Sequence, residues 1–232
     1  MEEKLSRSGT LKFFLFPLPL APMLYLGIIL APLFLVPAPA HAQLSLFNSS
    51  ETKYSGLKPF PKWTGALERY FTEKQNKSDD CQKSRFNKCH YQVWMNLIDQ
   101  VKNKKPRYQL NKINTFLNRY RYIVDPINWG VKDYWESPGQ FFSKYGDCED
   151  YAIAKYLTLR ILGWDPDKMR IVVLNDLNLK IAHAVLIVQL DGKYLLLDNQ
   201  ISLVVDSDRV RHYRPIYSVN EHSWWRHKPR QR

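Results

Sequence analysis

One cysteine of this sequence lies where a reactive thiol is expected. The run Gly146-Asp147-Cys148-Glu149-Asp150 opens a strongly helical segment, which predicts Cys148 as the first residue of a helix. A thiol there faces unpaired backbone N–H groups and the positive end of the helix dipole, and both favour its thiolate. The three neighbouring carboxylates oppose the thiolate by repulsion. They are either capping groups of the helix or ligands of a cation that offsets their charge.

A histidine and an aspartate are predicted to meet on a β-hairpin. Asp191-Gly192 separates two apolar, β-branched runs and is a strong signal for a two-residue turn. Counting outward from that turn places His183 and Asp198 on one face of the sheet as diagonal neighbours. This separation suits a hydrogen bond between imidazole and carboxylate. The alternative interpretation is a purely structural buried polar pair or an exposed sheet end.

Cys148, His183 and Asp198 together have the order of a papain-like thiol protease. In that chemistry Cys148 attacks a carbonyl as a thiolate. His183 takes the thiol proton and later protonates the leaving amine, while Asp198 orients and stabilises the imidazolium.

The elements that must position these residues follow from periodicity and from capping signals. Helices are predicted at about residues 63–75, 86–104 and 109–121, followed by an extended aromatic loop at 122–136. Ser137 is predicted to cap the next helix, and Gly163 to end the Cys148 helix. Strands are predicted at residues 170–175, 182–190, 193–198 and 202–206. Helices first and an antiparallel sheet afterwards indicate an α+β domain.

The domain boundaries follow from the same pattern. Residues 43–62 are predicted to form an irregular lead-in, residues 63–215 the domain, and residues 216–232 a loose, basic and aromatic tail. Residues 1–42 have the order of a secretory signal, with a basic region, an uncharged run from Phe13 to Val36, and the small-residue site Ala40-His41-Ala42. Cleavage is predicted after Ala42. An uncleaved membrane anchor is the alternative, although four prolines interrupt the uncharged run.

Composition limits the function classes. The 232 residues are 24% charged and 45% hydrophobic, which excludes a disordered chain and a multi-span membrane protein. The net charge of +12 permits an anionic partner, but export and the lack of a nucleic-acid-binding motif argue against nucleic acid. With three cysteines the chain is no disulfide-stapled miniprotein. In an exported protein, Cys81 and Cys89 are predicted to form a disulfide and Cys148 to stay free.

The motifs around these residues resemble those of the bacterial transglutaminase-like cysteine proteinases. The sequences GDCEDYA from Gly146, AHAV from Ala182 and LDN from Leu197 occur in the order and spacing of that family, and the resemblance covers about residues 50–215. It implies a transglutaminase-like (papain-like) fold, with N-terminal helices packed on a C-terminal antiparallel sheet. It also implies a periplasmic endopeptidase that cleaves the N-terminal region of a large surface adhesin at a pair of alanines. Such cleavage releases the adhesin and disperses a biofilm.

The resemblance further implies a cofactor and an inhibitory partner. The family binds Ca²⁺ through the acids flanking the cysteine, which are Asp147 and Glu149 here. An inner-membrane receptor for cyclic di-GMP sequesters such enzymes, and the nucleotide binds the receptor rather than this chain. A tryptophan before the cysteine takes part in that docking; Trp129 is the candidate, although aromatic core packing explains it equally well.

Two alternative functions share this fold. An acyl-transferring transglutaminase would use the same catalytic residues with an amine as acceptor. A non-catalytic binding module would have little reason to keep all three residues.

Overall fold

The computed structural model describes residues 45–75 and 88–229, which form helices packed on a seven-stranded antiparallel sheet. The helices are α1 (Pro61–Gln75), α2 (Lys88–Val101), α3 (Pro106–Leu117), α4 (Asp125–Asn128), α5 (Pro138–Lys144) and α6 (Cys148–Ile161). The strands are β1 (Ser49–Ser55), β2 (Met169–Asp176), β3 (Ile181–Leu190), β4 (Lys193–Leu197), β5 (Val205–Asp206), β6 (Tyr213–Val219) and β7 (Ser223–Pro229). The predicted α+β class is confirmed.

The hairpin of β3 and β4 has the register that its turn predicts. Asp191 and Gly192 have φ values of 49° and 70°, as a tight two-residue turn requires. Leu190 pairs with Lys193 and Val188 with Leu195. The paired ladder ends at Leu186 and Leu197, so that Asp198 is the first residue beyond it. The turn therefore fixes the position of Asp198 immediately after the last paired residue of β4.

Helix α6 is the central helix of the domain. Every residue from Asp150 to Leu159 is buried, because the helix packs on β3 while other helices cover its remaining sides. Asp147 caps its first turn in a capping box with Asp150, and the chain leaves its end through Gly163 at a φ of 87°. Ser137 and Gln140 form the predicted capping box of α5. Capping boxes thus fix the first turns of both α5 and the Cys148 helix.

The sheet also includes both ends of the described chain, where the predicted boundaries are wrong. The sheet order is β1-β7-β6-β2-β3-β4-β5, and β1, inside the predicted lead-in, pairs with β7 from Ser49–Pro229 to Ser55–Ser223. Strand β6 crosses the predicted boundary at residue 215, so residues 216–229 are no loose tail. In β7 the buried Trp225 and His227 alternate with the exposed Arg226 and Lys228. Basic residues on the solvent face of that strand gave the segment its tail-like composition.

Smaller differences concern element ends. Helix α3 begins at Pro106 rather than at residue 109, because proline is favoured in the first turn of a helix. The predicted loop at 122–136 contains the short helix α4, and the last predicted strand is reduced to Val205–Asp206.

Several predictions concern residues outside the described ranges. The predicted signal, residues 1–42, lies there, as does Cys81. Cys89 is disulfide-bonded and Cys148 is a free thiol, whereas the identity of the partner of Cys89 stays a prediction. Within residues 45–75 and 88–229, no helix has the length and apolarity required to cross a membrane.

Candidate active site

The predicted histidine–aspartate pair is present on the hairpin. His183 in β3 is 3% exposed, and Asp198 just after β4 is 1% exposed. The His183 Nε2 lies 3.0 Å from the Asp198 Oδ1. Because Nε2 is engaged by the carboxylate, Nδ1 is the imidazole nitrogen left for proton exchange with a thiol.

Two further groups hold the Asp198 carboxylate. The Tyr213 hydroxyl donates to Oδ2 over 2.6 Å, and the Gln200 backbone N–H donates to Oδ1 over 2.9 Å. Burial alone would raise the pKa of Asp198, but the hydrogen bonds with His183, Tyr213 and Gln200 lower it below its ordinary value. Asp198 is therefore an oriented carboxylate.

Tyr213 could not be predicted from the sequence. The residue lies in β6, and β2 and β3 separate that strand from β4. Only the order of strands in the sheet brings its hydroxyl to Asp198, and no local pattern in the sequence encodes that order.

The buried Asp150 fixes the backbone at the start of α6, where Cys148 lies. The Asp147 N–H donates to Asp150 Oδ2 over 2.9 Å, and the Glu136 N–H donates to Asp150 Oδ1 over 2.8 Å. Asp150 is 0% exposed and each of its carboxylate oxygens already accepts a backbone N–H. We therefore assign Asp150 to capping rather than to cation binding, although it lies within reach of Asp125 and Asp147.

The Cys148 thiol is not activated by the helix start alone. Burial raises its pKa well above the ordinary value, and the charge of Glu149 raises it further. The thiol donates to Glu149 Oε2 over 3.0 Å, and the Ala184 backbone N–H interacts with the sulfur and lowers the pKa. Ala184 directly follows His183, so the sulfur lies against the strand of the histidine. The thiol makes its hydrogen bond to Glu149, and none to His183 is present among the described residues.

Acidic side chains from three segments gather beside the thiol. Asp147 and Glu149 were predicted from the sequence, and the fold adds Asp125 from α4 and Asp133 from the loop after it. Ligand atoms of Asp125, Asp133 and Glu149 lie within 4.8 Å of one another, as do those of Asp147, Cys148 and Glu149. Asp125 and Asp133 could not be predicted as ligands from the sequence, because they lie in an aromatic loop without a recognisable ligand spacing.

Among the described residues, the negative charge of this cluster is compensated by an ion pair only at Asp133, which pairs with Lys62. Burial, followed by the charge of Asp147, raises the pKa of Glu149 to about 9. Burial raises the pKa of Asp125 to about 6 and that of Glu136 to about 8. The buried oxygens Asp125 Oδ1, Asp147 Oδ1 and Glu136 Oε2 have no hydrogen-bond partner among the described residues.

These donors fit a hard divalent cation. Carboxylate oxygens are the ligands that calcium prefers, and a bound cation would satisfy the unpaired oxygens while offsetting their charge. A soft metal would need the Cys148 sulfur as a ligand, which would remove its nucleophilicity.

Trp129 is held by packing on several sides. Its Nε1 donates to Glu136 Oε1, the Lys144 Nζ lies 3.8 Å from the ring centroid, and the Tyr134 ring is 4.6 Å away. It remains partly exposed next to Ile127, which is 80% exposed. The structure thus gives Trp129 a packing role, and its predicted docking role stays a prediction.

A cysteine at a helix start, a strand histidine and a hydrogen-bonded aspartate define the class of transglutaminase-like thiol hydrolases. The family model of the bacterial transglutaminase-like cysteine proteinases matches residues 74–228, and the chain belongs to this family. The match extends to the end of β7, beyond the resemblance that the motifs alone suggest.

Solved structures of Legionella pneumophila LapG are similar to this chain. One is 33% identical, with a TM-score of 0.55, and covers 69% of this chain and 87% of its own. An EGTA-treated structure of that protein gives 33% identity and a TM-score of 0.57, over 72% of this chain and 88% of its own. A calcium-bound structure gives 33% identity and a TM-score of 0.55, over 69% and 87%. None of the curated proteins matches the chain significantly.

Proposed function

We propose that this protein is a calcium-dependent cysteine endopeptidase of the periplasm that cleaves the N-terminal region of a large cell-surface adhesin. Cleavage would release the adhesin and promote biofilm dispersal. The observation that carries the proposal is the 3.0 Å hydrogen bond between His183 and Asp198 on the strands against which the Cys148 helix begins. Membership of a cysteine proteinase family supports the reaction class.

In the proposed mechanism, Cys148 is the nucleophile, His183 transfers protons and Asp198 stabilises the imidazolium. The Cys148 proton passes to His183 Nδ1, and the sulfur attacks the carbonyl carbon of the scissile bond. The developing oxyanion faces the free N–H groups at the start of α6. Asp198 stabilises the imidazolium, which then protonates the leaving amine. Water, deprotonated by His183, hydrolyses the thioester and restores the thiol.

Calcium would bind Asp147 and Glu149, together with Asp125. A bound calcium ion supplies positive charge that offsets these carboxylates, whose charge otherwise raises the pKa of the Cys148 thiol. The existence of a calcium-bound structure of the similar LapG supports this part of the proposal.

Two large, partly exposed side chains lie near the proposed catalytic residues, Tyr122 in space beside Cys148 and Ile181 in the chain before His183. Tyr122 is joined to Gly146 by a β-bridge, and its side chain is 49% exposed beside the sulfur. Ile181, two residues before His183, is 50% exposed. We propose that an extended peptide bound beside Tyr122 presents its carbonyl to Cys148.

Cleavage of an adhesin fragment tests the proposal. Residues 43–232 are incubated with the N-terminal fragment of a large surface adhesin from the same organism, and with the same fragment carrying a glutamate pair in place of its alanine pair. The first fragment should give two products and the second none. Cys148→Ala and His183→Ala should abolish cleavage, and Asp198→Asn should leave about 10⁻⁴ of kcat. Full activity of Cys148→Ala, or a larger crosslinked species in place of two products, would contradict the proposal.

Chelation tests the cofactor. EGTA should abolish cleavage, and added calcium should restore it where equal magnesium does not, because magnesium requires a smaller and more regular oxygen shell. Full activity in metal-free protein would show that the acids serve only as capping and surface groups.

The proposed inhibitory partner is an inner-membrane receptor that responds to cyclic di-GMP, docking at the surface of Trp129 and Ile127. Ile127→Asp changes an 80% exposed side chain outside the catalytic set. It should weaken binding of the receptor's periplasmic domain and leave cleavage unchanged. Ile216→Asp, at a 42% exposed position in β6, is the matched control. Equal binding by both variants would place the docking surface elsewhere.

A further inference from the structure

Three large apolar side chains are exposed at one end of the sheet, where the chain turns from β2 into β3. Leu177 is 49% exposed, Leu179 56% and Ile181 50%. We call these three residues the apolar tip. A single exposed apolar side chain is ordinary in a folded protein, whereas three in one short turn mark a surface for interaction with another molecule.

The backbone N–H groups of this turn, residues 177–180, all have acceptors within the protein. The buried Asp176 accepts three of them. Its Oδ1 accepts from Asn178 over 2.8 Å and from Leu179 over 3.1 Å. Its backbone oxygen accepts from Lys180 over 2.8 Å, and the remaining N–H group, that of Leu177, donates to the His212 oxygen over 3.0 Å. The turn therefore needs no water to satisfy its donors, which is the condition for backbone that enters lipid.

Exposed cations lie beside the apolar tip. Within residues 208–214, three arginines and one aspartate are exposed, and Lys180 adds a cation in the turn itself. The hydrogen bond from Leu177 to His212 joins the turn to this segment. The Asp176 carboxylate is buried and faces the turn rather than solvent. The flanks of the apolar tip are therefore net positive and suit an anionic partner.

We propose that the apolar tip docks this protein on an anionic phospholipid bilayer. Sites that bind peptides or small molecules are concave, whereas the end of a hairpin is convex. A convex apolar surface with bonded backbone donors and basic flanks suits the boundary between headgroups and acyl chains. Leu177 and Leu179 enter this boundary, while Lys180 and the arginines contact lipid phosphates.

Docking through this hairpin brings the proposed active site close to the lipid. His183 follows Ile181 by two residues, which is about 7 Å along β3. A substrate held at a membrane would then be met on the same surface. The proposal goes beyond the proposed protease function and does not depend on it, because lipid binding is measured without a substrate.

Vesicle sedimentation tests the proposal. Residues 43–232 are used, because the uncharged N-terminal run would itself enter lipid. The vesicles are phosphatidylcholine, either alone or with about one third phosphatidylglycerol, and the protein should bind the anionic vesicles more tightly by about 10-fold or more. Leu179→Asp should lower this binding by about 10-fold, because phosphates repel a carboxylate and the apolar layer excludes it.

The matched control carries the same charge change at an equally exposed position. Phe71→Asp, at a 57% exposed position in α1, should bind the anionic vesicles like the wild type. Equal binding by Leu179→Asp and Phe71→Asp would overturn the proposal. A wild type that binds neither kind of vesicle would overturn it too. If Leu179→Asp then slowed cleavage of the adhesin fragment, the apolar tip would instead be assigned to a polypeptide partner.

Variants of two exposed cations test the role of the basic flank. Arg211→Gln should weaken binding to the anionic vesicles about fivefold, the effect of one cation at a charged lipid surface. Lys104→Gln, between α2 and α3, removes the same charge elsewhere and should change binding by less than about twofold. Equal losses in the two variants would show that net charge alone binds lipid and would overturn the proposal.

A fluorescent probe distinguishes insertion of the apolar tip from adsorption by charge. In a Cys148→Ala background, which removes the free thiol, Leu179→Cys is labelled with acrylodan. Its emission should shift to the blue on anionic vesicles and be quenched by lipids that carry a nitroxide on the acyl chain. Phe71→Cys, labelled in the same way, should show neither change. An unshifted Leu179→Cys probe on bound protein would overturn insertion of the tip.

Discussion

At the residue scale, Asp198 is the point on which the proposed catalytic arrangement depends. Its carboxylate is bonded to His183, Tyr213 and the Gln200 N–H, and its backbone oxygen accepts from Asn118. A carboxylate with three hydrogen bonds stays ionised in spite of burial. An imidazolium formed at His183 would therefore face a fixed negative charge.

Tyr213→Phe should weaken this arrangement without changing the sheet. The variant removes the 2.6 Å hydrogen bond to Asp198 Oδ2 and leaves a buried oxygen unpaired. We expect kcat to fall about 10-fold and the free energy of unfolding to fall by about 1–3 kcal/mol. Tyr194→Phe, at another buried tyrosine on the same face of the sheet, is the control.

The stabilisation that the Tyr213 hydroxyl provides should depend on pH. The folded protein lowers the pKa of Asp198, so this stabilisation is present above the unfolded pKa of about 4 and is lost as pH falls through the folded value. The difference in thermal midpoint between wild type and Tyr213→Phe should shrink below pH about 4. A constant difference from pH 3 to 7 would contradict the role of the hydroxyl.

The acidic cluster should make the calcium-free protein less stable at high pH. Burial raises the folded-state pKa of Asp125 to about 6, of Glu136 to about 8 and of Glu149 to about 9. The folded state therefore binds more protons than the unfolded state above pH about 4, and stability falls as pH rises. Thermal midpoints in EGTA should decline between pH 5 and 9. Saturating calcium should raise the midpoint most at the high end of that range, and equal effects at both ends would contradict a site in this cluster.

At the element scale, the start of α6 depends on a glycine. Gly146 allows the Asp150 side chain to lie directly against the backbone, and a Cβ at position 146 would lie 2.7 Å from the Asp150 Cβ. Gly146→Ala should displace Asp150, break the capping box and lower the free energy of unfolding by more than the loss of about 1 kcal/mol that is typical of a lost cap. Chemical denaturation measures the change.

A second glycine gives the control for that substitution. Gly65 lies inside α1, where an added Cβ would meet the flexible end of the Arg69 side chain at 3.2 Å. Gly65→Ala should stay within about 1 kcal/mol of the wild type, since alanine favours the helix interior. Equal losses in the two variants would argue against a specific role of Gly146.

The hairpin and the helix caps could be predicted from the sequence because they depend on neighbouring residues. The turn Asp191-Gly192 fixed the register of β3 and β4 and brought His183 to Asp198. Ser137 and Asp147 marked two helix starts correctly. Tyr213 and Asp125 reach the site only through the order of strands and the path of a loop. Such contacts join residues far apart in the chain, and no local periodicity encodes them.

At the scale of the whole molecule, the two ends of the described part of the chain complete the sheet. β7 pairs with β1 on one side and with β6 on the other, and the Arg170 guanidinium lies 3.9 Å from the Trp225 ring centroid. The basic composition of this segment suggested a tail, because composition alone does not distinguish a solvent-facing strand from a disordered end. The alternating burial in β7 is the pattern that identifies the strand.

Truncation tests this role of the C-terminal strands. A chain ending at Pro215 loses most of β6 and all of β7, which leaves β1 unpaired and exposes the edge of β2. It should be insoluble or lack a cooperative thermal transition. A chain ending at Pro229 keeps both strands and should melt like the full chain, as followed by circular dichroism. A cooperative transition in the shorter chain would contradict the assignment.

In the proposed mechanism, His183, supported by Asp198, activates Cys148. The most direct measurement is alkylation of residues 43–232 by an alanyl-alanyl chloromethyl ketone in calcium, followed by intact mass and peptide mapping. We expect one adduct on Cys148, formed more slowly by about 10²-fold or more in His183→Ala and in EGTA. An adduct elsewhere, or an equal rate of Cys148 labelling in His183→Ala, would contradict it.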